Sequence, residues 1–485
     1  MKTQNIILSV IAAFTSLSAS AQSLQLTQGS VTYAHSAANT GNMEFASNSV
    51  TIEGRQYELT NGTTMQVVAQ PTADNTVSVV YNGSTVQVLV AGNIAKYLTV
   101  DVSGAHVSIL ASADLQQQVS YTLSGSSAAG SFYMDGKYAA QFTLSNLSLT
   151  NPDSAAINIQ DGKLITMELE GDNTLADGQG KQNNACLYIN GHSKFVGDGN
   201  LTVVGNAKHG ITGDEHLIVE GGNINVTAIG DGLHVSEYFK QTGGKLAIKA
   251  HGDGIDIGFK GVNKGTKDTY KQNGFALLEG GNLDITVSGD AVKGIKADST
   301  VMVAGIVANV TTTGSAIFDT SDNDLSSSAA LKSGGLVDIS SGSLSLQSTG
   351  AGGKGINATG DITISGGTLS VVTTGDVFTY GADDTKPHGV KTDGNINISG
   401  GNVFVAASAN SGTALKTDYY FTVSGGTIMA IGAKQSKPTT QNQQCYTYSG
   451  VNVKAGQTLT YNGVSFVIPA TYNNSNAKVM VSGGK

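Results

Sequence analysis

The chain has 485 residues, 63 of them glycine and 5 proline, with no tryptophan and only 13% charged residues. Its aliphatic residues recur in short alternating runs, which excludes a disordered chain. The formal charge is −9 and Arg55 is the single arginine, so no cationic block is available to neutralise phosphates and nucleic acid is not an expected partner.

In chain order, Lys2, the apolar run from Ile6 to Leu17 and Ala19-Ser20-Ala21 read as a secretory signal over residues 1–21. Cleavage near Ala21–Gln22 would leave a protein that is secreted or held at the cell surface or in the periplasm. No later apolar run is long enough to span a bilayer. Residues 22–112 carry strand signals and are read as a small β module. In TVSVVYNGSTVQVLV (Thr76 to Val90) two alternating runs flank Asn82-Gly83-Ser84, the signal of a hairpin. Residues 113–440 form a repetitive region and 441–485 a C-terminal β cap. Cys186 and Cys445 either pair in an oxidising compartment or stay as buried thiols, because geometry decides pairing.

The repeat is a strand, Gly-Gly, then a second strand, as in HLIVEGGNINVTAIG (His216 to Gly230), DITISGGTLSVVTTG (Asp361 to Gly375) and NINISGGNVFVAASA (Asn395 to Ala409). An anchor residue marks each copy: Ile211, Leu233, Ile255, Ile295, Ile317, Ile356, Phe378 and Leu415. The basic turn is about 22 to 25 residues. This is the arithmetic of a parallel β-helix, in which stacked turns bury an apolar face that one turn alone cannot. Gly-Gly supplies corners, and scarce proline spares the ladder N–H groups. Added loops follow Ile255, Ile317 and Phe378: residues 258–273, 319–332 and 379–389. In this register they project from one side, where binding function usually lies.

VKGIKAD (Val292 to Asp298), GKGINATGDITISGGTLSV (Gly353 to Val371) and HGVKTDGNINISGGNVFV (His388 to Val405) resemble segments of an exported bacterial carbohydrate-binding domain family. Tyr121 to Ile159 looks like the opening of that domain, and the resemblance covers roughly residues 119–440. It implies a polysaccharide-lyase-like, right-handed parallel β-helix that binds calcium and plant-type or acidic polysaccharides. The chain departs from the pattern at GSAIFD and GDVFTY.

Aligning the anchors brings acids together. Two positions before the anchor lie His209, Asp231, Asp253, Lys293, Ser315, Lys354, Asp376 and Thr413, and one after it lie Thr212, His234, Asp256, Lys296, Phe318, Asn357, Thr379 and Lys416. Asp231 and Asp253 on adjacent turns would repel, and a cation between them removes the conflict. Calcium prefers such oxygen donors. Asp231, Asp253, Asp256, Asp290, Asp298 and Asp376 are the candidate metal ligands. The plainer reading makes each GDG an Asp-Gly turn, and makes Asp253–Lys293 and Asp256–Lys296 salt bridges. Lys293 and Lys354, with Tyr238, Tyr270 and Tyr380, are the candidate sugar contacts, while Phe239 and Phe318 read as packing. A lyase would need a base lysine of depressed pKa, which neighbouring carboxylates oppose. The sequence therefore favours a monomeric, non-catalytic polysaccharide binder, with a calcium-dependent pectate-type lyase or a structural adhesin module as the alternatives.

Overall fold

The computed structural model describes residues 22–160, 162–179, 184–259, 273–461 and 463–483. Residues 1–21, read as a leader, Tyr270 and nearly all of the first added loop lie outside the described residues. Among the described residues the chain is all-β: its helical segments are Ala37–Asn42 and Gly92–Ala95, six and four residues long. No described helix is long and apolar enough to cross a membrane.

The expected right-handed parallel β-helix solenoid is corrected by the strand pairing. The main sheet of 26 strands contains a closed barrel of 12 parallel strands, with the remaining strands added to it. Long strands that serve two ladders at once are the reason. Ala140–Asn151 pairs its first half with Leu164–Glu170 and its last residues with Asp172–Asp177. Val301–Thr312 does the same with Phe275–Leu278 and Asn282–Val287. Each is 12 residues long and passes through a break in register rather than a corner. Repeat length cannot reveal this, since one shared strand spans as many residues as two strands and a corner.

The chain divides into two compact units, Met1–Thr202 and Val203–Lys485. In the first, Ser23–Gln28 lies antiparallel to Val31–Ser36 and Thr63–Val68. The hairpin read at Asn82-Gly83-Ser84 forms between Thr76–Asn82 and Thr85–Ala91, with Gly83 at φ +64°. Tyr121 stacks on Phe142 at 4.7 Å between ring centres, and Phe132 meets both edge-on, all three fully buried. Such pairs add directional attraction to the large apolar area they bury. Arg55 is structural: its guanidinium lies 4.3 Å from the centre of the Tyr33 ring and donates to the Leu98 carbonyl at 2.6 Å. Cys186 in this unit is a buried thiol, and Cys445 in the second is a half-buried one.

In the second unit, Gly-Gly pairs act as the sequence suggests, with a division of labour. A Cβ on Gly280 would meet the Thr242 carbonyl oxygen at 2.4 Å, while Gly281 takes φ +79°. The first glycine lets one repeat lie against the next, and the second turns the chain. The anchors form a parallel ladder in the register Ile211, Leu233, Ile255, Ile295, Leu331, Ile356, Val390 and Leu415. Leu331 and Val390 take the places read for Ile317 and Phe378. Those two residues instead begin hairpins, Ile317–Asp319 with Asp324–Ser326 and Phe378–Tyr380 with Asp383–Thr385. Both hairpins therefore precede their anchors, and Leu331 falls inside the segment read as the second added loop. From Ile295 onward the true anchors are followed two positions later by a small residue (IKA, LKS, INA, VKT, LKT), which IFD and FTY lack.

Candidate functional site

The ladder of the second unit explains why acids and histidines recur two positions before the anchor. His209 Nδ1 accepts the Asp231 N–H at 3.0 Å, Asp231 Oδ1 accepts the Asp253 N–H at 2.8 Å, and Asp253 Oδ1 accepts the Lys293 N–H at 2.6 Å. His388 Nδ1 accepts the Thr413 N–H at 3.2 Å. A withdrawn backbone N–H needs an acceptor, and these side chains supply it from one repeat to the next. One oxygen of Asp231 and of Asp253 is thus committed to the fold.

The second oxygen of Asp231 has other partners. Asp231 Oδ2 lies 3.1 Å from His209 Nδ1 and 3.3 Å from His234 Nδ1. Asp256 Oδ2 also lies 3.3 Å from His234 Nδ1, while Asp256 Oδ1 receives Lys296 Nζ at 2.8 Å. The His209 and His234 rings stack with centres 4.7 Å apart. Burial opposes the charge on Asp231, but the imidazoles of His209 and His234 beside it hold its carboxyl far below the usual carboxylate range. Hydrogen bonds to Asp231 and Asp256 push His234 up to about 9 against its burial. Burial likewise opposes the charge on Asp256, and His234 and Lys296 prevail in lowering it. For Asp253 burial dominates and raises it to about 6, with Lys293 opposing. The repulsion between carboxylates is therefore relieved by side-chain cations. Calcium takes six to eight oxygens. Here the atoms nearest Asp231 Oδ2 include two imidazole nitrogens, and this donor set does not fit that ion. Asp290, Asp298 and Asp376 are exposed and hydrogen-bonded to Ser315 N, Phe259 N and Asn410 respectively. Among the described residues none of the three joins a cluster of potential metal ligands.

The corrected register changes the row one position after the anchor. It reads His234, Asp256, Lys296, Lys332, Asn357, Lys391 and Lys416 on successive repeats. Phe318 and Thr379 leave the row, and Lys332 and Lys391 enter it. From Lys296 to Lys416 the row spans about 19 Å at the usual strand spacing. Lys391 pairs with Asp393 at 2.9 Å and Lys416 with Asp418, both of these acids being well exposed. Exposed pairs of this kind are weak, and a ligand carboxylate can replace the partner.

Beside this row lies a cleft of about 320 Å³ lined by Ser327, Lys354, Asn357, Thr385, His388 and Lys391 among others. The two hairpins flank it, and their rings Phe318 and Tyr380 stack at 4.3 Å. Lys354 is 3% exposed, and Nζ donates to the Gly352 carbonyl at 2.6 Å, Thr385 Oγ1 at 2.7 Å and Ser327 Oγ at 3.2 Å. It ties both hairpins to the ladder. Burial, with the nearby Lys391 charge, pulls Lys354 down to about 7. Burial and the charges of Lys354 and Lys391 pull His388 down to about 3, so its imidazole is neutral near pH 7.

Of the sequence-predicted sugar contacts, Lys354 lines the cleft and Tyr380 stands beside it, 51% exposed, with one face on Phe318. Lys293 turns its Nζ to the Ala291 carbonyl and, at 3.4 Å, to Ser326 Oγ. Tyr238 is stacked between His216 and Phe275 at 4.6 and 4.8 Å, so both ring faces are covered. Phe239 is fully buried, as read. Sequence reasoning missed Lys332, Lys391 and His388 as site residues. The LKS and VKT triplets carried the signal, but the hairpin anchors displaced the register.

A family model described as carbohydrate-binding domain-containing protein matches residues 103–377. A relative with the same description from Acetivibrio thermocellus is 34% identical over 102 residues, which covers 19% of this chain and 36% of the relative. The chain thus spans about a third of that relative's length. Among solved structures, the polysaccharide lyase-like protein from C. thermocellum, as a gadolinium derivative, is 25% identical. The alignment covers 49% of this chain and 91% of that one, with a TM-score of 0.40. The family match takes in more than half of the sequence, and the chain belongs to the carbohydrate-binding domain-containing proteins.

Proposed function

We propose that this chain is an exported, monomeric protein that binds an acidic polysaccharide without cleaving it, along the lysine row and its adjoining cleft. The row Lys296, Lys332, Lys391 and Lys416 is the observation that carries the reading. It offers a cation on most successive repeats, in line, as an extended polyanion requires. Asn357, Ser327 and Thr385 add neutral hydrogen-bonding groups beside the cations. The leader-like start of the sequence supports export. Calcium takes no part in this reading, because the donors around Asp231 do not form an oxygen cage.

Isothermal titration with a polyuronate and a neutral glucan tests it. The polyuronate should bind, and binding should weaken as salt rises from 50 to 300 mM or so, because exposed charges are screened. Equal binding of the neutral glucan without salt dependence would sink the reading. A lyase reading has one observation in its favour, the depressed pKa of Lys354. Sustained release of unsaturated product, lost in Lys354→Met, would replace binding by cleavage.

The same lysine gives a pH dependence. Lys354 is charged below about 7 and neutral above it. A bound carboxylate favours the charged form, so affinity for the polyuronate should be highest below that pH and fall as pH rises through it. Binding at pH 8 should take up protons, visible as a dependence of the measured heat on buffer ionisation enthalpy. An affinity flat from pH 6 to 8.5 or so would remove Lys354 from the site.

A further inference from the structure

We propose that His209, Asp231 and His234 bind a divalent transition-metal ion of the zinc class, with water at the open fourth position. Tetrahedral bonds of about 2.0–2.1 Å place ligand atoms about 3.3 Å apart. The spacings are 3.1 Å from His209 Nδ1 to Asp231 Oδ2 and 3.3 Å from Asp231 Oδ2 to His234 Nδ1. The donor atoms of His209, Asp231 and His234 all lie within 4.8 Å of one another.

The ligand carboxylate is oriented by its other oxygen. The Asp253 N–H holds Asp231 Oδ1 at 2.8 Å. Outer contacts of this kind fix ligands in metal sites. Two imidazoles and a single carboxylate oxygen suit zinc, nickel or copper, whereas calcium wants more oxygens. His209 is nearly buried, while the His234 side chain is 37% exposed, which leaves a route from solvent. Binding exchanges the Asp231 N–H bond at His209 Nδ1 for a coordinate bond.

The test uses the tag-free full mature protein, stripped with chelator, in thermal unfolding and cobalt absorption. Zn²⁺ and Co²⁺ should raise Tm by about 3 °C or more at a large excess over Kd, since an ion held only by the folded state stabilises it. Ca²⁺ and Mg²⁺ at the same concentration should not. Co²⁺ should give the visible band of a tetrahedral site, and both effects should vanish in His234→Gln. That side chain is partly exposed, and the variant's metal-free Tm and circular dichroism check its fold. A wild-type protein indifferent to Zn²⁺, an undiminished response in His234→Gln, or a response to Ca²⁺ alone would each overturn the proposal. Polyuronate binding is measured separately and is independent of this result.

Discussion

Lys391→Glu is expected to abolish most polyuronate binding. Lys391 lies in the basic row and lines the cleft. Losing one hydrogen bond to a charged group costs about 1.5–3 kcal/mol, or roughly 10–150-fold in Kd. Reversal adds repulsion to that loss, so the upper part of the range is expected. Lys249→Glu is the control, because it makes the same change in net charge at an exposed position on the strand Lys245–Ala250. Titration of both variants at one salt concentration checks the expectation. Equal weakening in the two would mean that net charge alone draws the glycan, and the row would lose its assignment.

Gly294→Ala is expected to destabilise the second unit by about 1–3 kcal/mol, through overpacking. A Cβ there would meet Val310 Cγ1 at 2.1 Å and the Ala330 carbonyl oxygen at 2.6 Å. Gly355 faces Val371 in the same way at 2.0 Å, and Gly389 faces Val405 at 2.3 Å. Two repeats carry alanine at this place, Ala330 and Ala414. The register there puts Leu346 and Ala430 where Val310, Val371 and Val405 stand. The glycine thus complements a valine whose branch fills the missing Cβ position. Val310→Ala should relieve part of the penalty, with a coupling of about 0.5–3 kcal/mol in a double-mutant cycle followed by urea unfolding. Strict additivity of the two changes would show that the clash is not the cause.

The acidic cluster was half legible. The DGI and DGL motifs located Asp231, Asp253 and Asp256, and the coil alignment placed Asp231 against Asp253. It did not show that Asp231 Oδ1 and Asp253 Oδ1 would serve backbone N–H groups, nor that His234 would lie between Asp231 and Asp256. Hydrogen bonding between repeats depends on which side-chain atom faces which strand, and spacing carries no such information. The basic row was less legible. Ile317 and Phe378 imitate anchors because a hairpin, too, begins with an apolar residue.

The sequence by itself determined that the protein is all-β, that Gly-Gly pairs mark its corners and that its strands repeat in parallel. These are local consequences of alternation, of glycine at positive φ and of repeat length. Only the tertiary structure decided that the main sheet closes as a parallel barrel rather than stacking as a right-handed β-helix, because closure depends on strands shared by two ladders. It also decided that Lys332 and Lys391 stand in line with Lys296 and Lys416. Register is a pairing between distant segments, and two inserted hairpins were enough to hide it from the chain's own order.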